Sequence, residues 1–323
     1  MQQIWQKVFI AHENKSNKRI LSIGILLLSI GFILYGIISQ WNTLVHFEWQ
    51  VDWARVIWAF VFFPFGVFPT VYAWHLLVSG FGAHQLFYDN ATVFILSSLP
   101  KRLPGLVWYI SSRSLWYQER GTSTVSVLLA TTWETLALGI SGLVLYVLIA
   151  LISHARLVLS WTLIGIFSLV TLLLAILVSP LVLKKILVKL GQSQVQYISI
   201  INLLSVFLLY SFAWIAGGTF FYFLITSLCG PLPFWPLASI WIASSVAGVF
   251  ASILQGIGIK ELTMTMLLSD LLPLPVSAAM AVIIRVVHTL SEVIFLFFLL
   301  PFLTLKKSNS KGVLIKRPDQ DSS

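Results

Sequence analysis

Charge is what this chain has least of. Only 10% of its 323 residues are Asp, Glu, Lys or Arg, against about 25% in soluble domains, while 58% are hydrophobic. Such a composition excludes a water-solvated globular surface and points to a protein solvated by lipid. Cysteine is rarer still: Cys229 stands alone, so no internal disulfide and no cysteine-based zinc cluster can form. A P-loop, HExxH, a nucleophile elbow and zinc-ligand spacing are also missing, so no motif marks an enzyme or calls for a cofactor. Nucleic acid is excluded as a partner despite the net charge of +9, because the lysines and arginines sit in short segments between apolar runs. The 13 Trp and 9 Tyr gather near the ends of those runs, Trp41, Trp49, Trp53 and Trp58 among them, as a headgroup-level belt.

What is present is a series of long apolar stretches. Spans are expected near 20–39, 54–79, 122–152, 157–178, 198–228 and 276–303, each about as long as a bilayer requires. The first of them is too long, and lacks the small-residue cleavage site, for a signal peptide. Two further stretches, 90–119 and 235–270, are interrupted midway by Pro or Gly, and neither half is expected to reach the roughly 20 residues of a full span. Non-helical backbone at membrane depth survives only where protein or water satisfies it, so each is read as a re-entrant helical hairpin. The fold class is therefore an all-α polytopic membrane protein with six full transmembrane helices plus two re-entrant hairpins. One domain is expected over 20–303, between a cytoplasmic segment 1–19 and a basic, polar, disordered tail 304–323.

Positive charge fixes the expected orientation. Lys7, Lys15, Lys18 and Arg19 precede the first span, Lys184, Lys185 and Lys189 follow the fourth, and Lys306, Lys307, Lys311, Lys316 and Arg317 follow the last. Placing all three groups in the cytoplasm gives six crossings with both termini inside. The two broken stretches then enter from opposite faces and point at each other. An internal correspondence accompanies them: Arg113 and Glu134 lie 8 and 29 residues after Gly105, and Glu261 and Arg285 lie 5 and 29 after Gly256, with the signs exchanged. An inverted repeat with discontinuous helices would produce this pattern, and so would chance.

The charges inside these segments are the candidate functional residues, because an ionised group at the centre of a span costs roughly 2.5–3.5 kcal/mol and must face protein or water. Arg113 follows the Pro104-Gly105 break, with Tyr109 and Trp116 expected on its face. It is suited either to clamp a phosphate or to pair with Glu134. Pro104 suits the first position of a half-helix whose free N–H groups attract anions. Glu134, unpaired, would take up a proton and couple it to transport; paired, it is a fixed partner of an arginine. In the second break Gly256 and Gly258 let backbone and ligand approach, and Glu261 opens the next helix, where the dipole favours it. Arg285, His288 and Glu292 share one face of the last span, as a cavity stripe or a salt-bridged seam. His75 is read as a satisfied interior histidine.

The run Leu99-Pro100-Lys101-Arg102-Leu103-Pro104-Gly105-Leu106-Val107-Trp108, with Arg113, Gly121 and Glu134, and the run Gly256-Ile257-Gly258-Ile259-Lys260-Glu261, with Arg285, together resemble the transmembrane region of the lysylphosphatidylglycerol synthase family, the flippase-like domain proteins. The resemblance spans about residues 20–303. It implies a lipid-handling module of the bacterial or archaeal cytoplasmic membrane, which in the namesake proteins translocates aminoacylated phosphatidylglycerol. Those proteins continue into a soluble aminoacyl-transferring domain; this sequence stops at Ser323, so lysyl transfer is not expected of it. Where the family pattern has a richer glycine cluster before the second motif's Glu, this sequence has Leu254-Gln255.

The expected function is flippase-like translocation of a phospholipid or polyprenyl-linked lipid, its anionic or polyprenyl phosphate headgroup held between the hairpins by Arg113, Glu134, Glu261 and Arg285. The alternative is a membrane glycosyl or acyl transferase using Glu48 and Asp52 of the first outward loop, or a non-catalytic subunit partnering a glycosyltransferase.

Overall fold

The computed structural model describes Gly31, Leu34, Tyr35 and residues 37–98, 106–153, 198–253 and 258–311. Among these residues the fold is entirely helical. Its elements are α1 (Trp41–Val45), α2 (Trp53–Gly80), α3 (Phe87–Ser98), α4 (Leu106–Gln118), α5 (Thr124–Ser153), α6 (Ile200–Cys229), α7 (Phe234–Ile253), α8 (Ile259–Leu268) and α9 (Leu274–Lys311).

Four of these helices carry stretches long and apolar enough to cross a membrane: Trp53–Gly80, Thr124–Ile149, Ile200–Cys229 and Leu274–Phe295. At 1.5 Å per residue each outreaches a hydrocarbon core of about 30 Å. The chain is thus a multi-pass helical membrane protein, as its composition requires. The expected span 157–178 and most of 20–39 lie outside the described residues, as do the breaks at 99–105 and 254–257.

Helices α3, α4 and α8, with 12, 13 and 10 residues, are too short to span alone, in line with broken stretches. Helix α7 corrects the expectation: it runs for 20 residues from Phe234, so the first arm of the second stretch is full-length by count. Its cause is local, since Pro236 sits in the first turn, where proline is tolerated, and no further proline interrupts Leu237–Ile253. A second correction concerns the tail, for α9 continues as helix to Lys311, past the expected boundary at 303. Lysine is a good helix former and favours a helix C-terminus, so Lys306 and Lys307 extend α9 instead of ending it.

The two halves of the described chain repeat one order of lengths: long, short, short, long over α2–α5, then long, intermediate, short, long over α6–α9. Helices α2 and α6, the leading members of each half, pack most extensively against each other. Their backbones approach at Gly66, whose hydrogen faces Ala213 and Ala216 across the seam, the small-residue device by which membrane helices gain close packing. The segment before α2 then closes the end of α6. Gln50 N, Asp52 N and Arg55 Nη1 donate to the carbonyls of Leu228, Ser227 and Thr226 at 3.1, 2.9 and 2.9 Å. Helix ends leave such carbonyls unsatisfied, and lipid offers them nothing.

Glycine also sets the distance between α6 and α7. A Cβ added at Gly217 would stand 2.5 Å from Trp241 Nε1, and one at Gly142 of α5 would stand 2.5 Å from Val246 of α7. Gly217→Ala must therefore push a rigid indole, an overpacking worth about 1–3 kcal/mol. The purified protein should melt several degrees lower, and an unchanged melting temperature would contradict the packing of α6 on α7.

Candidate functional site

Two ion pairs organise the interior, one in each half. Arg113 on α4 donates from Nη1 to Glu134 Oε2 of α5 at 2.5 Å, and their side chains are 1% and 3% exposed. The rest of the guanidinium is also occupied. Its Nε donates to Ser97 Oγ of α3 at 2.9 Å, and its centre lies 3.7 Å from the Trp74 ring of α2 and 4.1 Å from the Tyr109 ring. Tyr109, one turn before Arg113, donates to both Glu134 oxygens at 2.8 and 3.0 Å. One cation thus ties α2, α3, α4 and α5 together, in the manner that lets a buried charge persist: paired, hydrogen-bonded and stacked.

A polar chain continues behind it. Trp74 Nε1 donates to Tyr117 Oη at 3.1 Å, Tyr117 donates to Asn90 Oδ1 at 2.7 Å, and Asn90 Nδ2 faces His75 Nδ1 at 2.8 Å. His75 is thereby satisfied as a structural residue, consistent with its reading from sequence.

The second pair joins α8 to α9. Arg285 Nη1 donates to Glu261 Oε1 at 2.5 Å, but the side chains are 48% and 12% exposed. Gly258, at φ +96°, starts α8 in the left-handed region that only glycine enters freely, and places Glu261 in the first turn, at the positive end of the helix. Cap and ion-pair partner are therefore the same carboxylate. Along α9, His288 Nδ1 lies 3.4 Å from Glu292 Oε1, with the imidazole among the rings of Phe63, Phe220 and Trp241 at 5.4, 5.8 and 5.6 Å.

A cavity of about 530 Å³ brings these groups together, within the range of small-molecule sites. Glu134, Gly258, Lys260, Glu261, Arg285, His288 and Glu292 line it beside apolar and aromatic walls from α2, α5, α6 and α7. One of its walls carries prolines in mid-helix: Pro64 and Pro69 flank the lining residues Gly66 and Val67 of α2. The amphipathic lining, charged on α8 and α9 and aromatic opposite, suits a molecule with a charged head and an apolar body.

Of the residues anticipated from sequence, Gly258, Glu134, Glu261, Arg285, His288 and Glu292 meet in this cavity. Arg113 does not line it but stands behind Glu134, so the geometry realised is the ion pair and not the phosphate clamp. Its neighbours differ from expectation too, since Tyr109 accompanies it while Trp116 instead carries Arg120, 3.4 Å from its ring. Pro104, Gly105 and Gly256 lie outside the described residues. Of the rival pair, Glu48 is exposed, whereas Asp52 caps α2, accepting from Arg55 N at 3.2 Å and pairing with its Nε at 3.1 Å. Sequence reasoning missed Tyr210, Ser245 and Trp241 as lining residues. The repeated small or polar positions on their helices, Tyr210-Ala213-Trp214-Gly217 and Trp241-Ser245-Gly248, were the available signal.

The unequal exposure of the two pairs yields a prediction. Glu134→Gln leaves Arg113 buried without its counter-charge, a loss of about 3–5 kcal/mol for a fully buried pair. Glu261→Gln leaves an arginine that reaches the cavity and water, so thermal unfolding should show a large loss for the first and a small one for the second. Equal losses would contradict the asymmetry. Set against known proteins, the chain matches no family model, and no curated protein is significantly similar to it in sequence.

Proposed function

We propose that this protein binds a membrane lipid by its headgroup in the interior cavity and moves it between leaflets. The observation that supports this best is the Glu261–Arg285 pair: an arginine within an apolar helix, half exposed to a cavity whose other walls are aromatic and aliphatic. An intramembrane charge of this kind is costly unless it serves a polar pathway. The phosphate of an anionic or polyprenyl phosphate headgroup would sit on Arg285, whose guanidinium has donors beyond the one given to Glu261. Lys260 reaches the same cavity, its Nζ 4.0 Å from the Trp241 ring centroid. Glu261 and Glu292 balance charge as the headgroup arrives, and Arg113 acts at one remove by holding Glu134.

The reading also gives a route for movement. Both ion pairs lie within a half, α4 with α5 and α8 with α9, so the halves can shift against each other as units without breaking either pair. Among the described residues the halves meet through the packing of α2 on α6 and of α5 on α6 and α7, with hydrogen bonds such as Trp214 Nε1 to Ser141 Oγ at 3.1 Å and Arg55 to the Thr226 carbonyl, and movement would be a sliding along these faces. Rocking of one repeat against another is the movement found in transporters with inverted repeats, and we extend the inverted-repeat reading to these halves. The resemblance to flippase-like domains agrees with this reading and adds a prokaryotic cytoplasmic membrane, and the distribution of positive charge adds both termini inside. The transferase alternative loses ground because Asp52 is engaged as a helix cap.

Reconstitution tests the proposal. In liposomes containing fluorescent phospholipids or polyprenyl phosphates, the protein should expose inner-leaflet label to an external quencher faster than protein-free vesicles do. Arg285→Gln should slow this by about tenfold or more, the loss of a hydrogen bond to a charged group. The double change Glu48→Gln and Asp52→Asn should leave it intact. No acceleration with any lipid, or loss of activity only in the double variant, would overturn the reading.

A further inference from the structure

Four buried side-chain polar atoms among the described residues have no hydrogen-bonding partner in the protein: Ser114 Oγ, Trp133 Nε1, Tyr210 Oη and Ser245 Oγ. Two of them, Tyr210 and Ser245, line the cavity, and those residues are 0% and 7% exposed. Their neighbours do not share this condition. Thr70, Ser98 and Thr135 also line the cavity, yet each hydroxyl donates to a carbonyl of its own helix, Val67, Ile95 and Thr131, at 2.6, 2.7 and 3.0 Å. Such back-bonding is the usual resort of hydroxyls in apolar helices. Ser244, the residue before Ser245, does the same with the Trp241 carbonyl at 3.1 Å. A buried hydroxyl left unpaired is destabilising, so two of them at one cavity are suited to a partner that arrives with the ligand.

Their positions define what that partner is. Trp241, Ser245 and Gly248 follow one another at helical spacing along the cavity face of α7. Lys260 crosses that face, with Nζ over Trp241 and Cβ beside Gly248, the two residues between which Ser245 falls on α7. Tyr210 lies on α6, on the cavity wall it forms with Ala213, Trp214 and Gly217. A cationic headgroup is poorly served here. Glu134 is held by Arg113 and Tyr109, Glu261 by Arg285, Glu292 faces His288, and the Trp241 face already carries Lys260. A hydroxyl, in contrast, both donates and accepts, and so matches two other hydroxyls without any charge to neutralise.

We infer that the cavity selects a phosphodiester whose head is a polyol, a glycerol or a sugar, with Tyr210 and Ser245 reading its hydroxyls while Arg285 holds the phosphate. This rests on the lipid reading proposed above and narrows its substrate class. The same head chemistry occurs on a diacylglycerol or a polyprenyl tail, so both sources enter the test.

Binding is measured on the full-length protein in detergent micelles, by lipid-induced thermal shift and native mass spectrometry. The probes are dioleoyl phosphatidylglycerol and glucosyl-phosphoryl polyprenol, against dioleoyl phosphatidylcholine and dioleoyl phosphatidic acid, which present phosphate without a polyol. At least one polyol lipid should bind about three- to tenfold tighter than the other two, and whichever does identifies the tail. Tyr210→Phe and Ser245→Ala should each remove most of that preference and leave phosphatidic acid binding unchanged. Because each deletes a hydroxyl that the protein itself does not satisfy, neither should lower the melting temperature of the lipid-free protein. Equal affinity of the wild type for all four lipids overturns the inference and leaves lipid binding standing. A preference that survives both substitutions overturns it as well, since the hydroxyls then serve water only. Failure of every lipid to bind overturns the lipid reading, and the inference with it.

Discussion

The burial of Arg113 against Glu134 is the constraint on which the first half of this fold depends. A guanidinium cannot be left in lipid or in a dry interior alone, and each of its bonding directions draws in another element: Glu134 from α5, Ser97 from α3, the Trp74 ring from α2. The short helices α3 and α4 could not hold a position in a membrane by their own length. They are held by this cation. Tyr109 completes the arrangement by donating to both carboxylate oxygens, which leaves Glu134 committed on the protein side even as its residue borders the cavity.

The second half reuses the device with its charges exchanged, and the difference in exposure gives the two pairs different work. Glu261 and Arg285 fasten α8 to α9 as Glu134 and Arg113 fasten α5 to α4, but the arginine of this pair opens to the cavity. A sealed pair can only position; an open one can exchange part of its bonding for a ligand. That contrast makes Arg113 the anchor of its half, and under the proposed function it gives recognition to Arg285, beside Lys260, His288 and Glu292 on the cavity face of α8 and α9.

Much of this was legible in the sequence because a bilayer makes polar groups conspicuous. Long apolar runs located α2, α5, α6 and α9, and the four intramembrane charges stood out, with Arg113 and Glu134 as one possible pair; that Glu261 pairs with Arg285 was not read from the sequence. Which arginine would be sealed was not legible. That depends on Trp74, Ser97 and Tyr109, contributed by three different helices, of which only Tyr109, one turn before Arg113, was placed beside it by spacing. Tyr210 and Ser245 were hidden for a related reason. A hydroxyl in an apolar helix normally bonds its own backbone, as Thr70 and Thr135 do, and only the three-dimensional structure separates the exceptions. The length of α7 and the extension of α9 to Lys311 escaped because helix ends are set by local propensity as much as by hydropathy.

The central claim is that the intramembrane charges of α8 and α9 face an aqueous, ligand-accessible cavity and not lipid or a dry seam. Thiol accessibility tests it most directly in a chain whose sole cysteine, Cys229, is first replaced by alanine. With Arg285→Cys in reconstituted vesicles, a membrane-impermeant thiol reagent should react readily. With Leu290→Cys, five residues on along α9, exposed and off the cavity stripe, it should not react. An inert cysteine at 285, or equal reactivity at 285 and 290, would contradict the account.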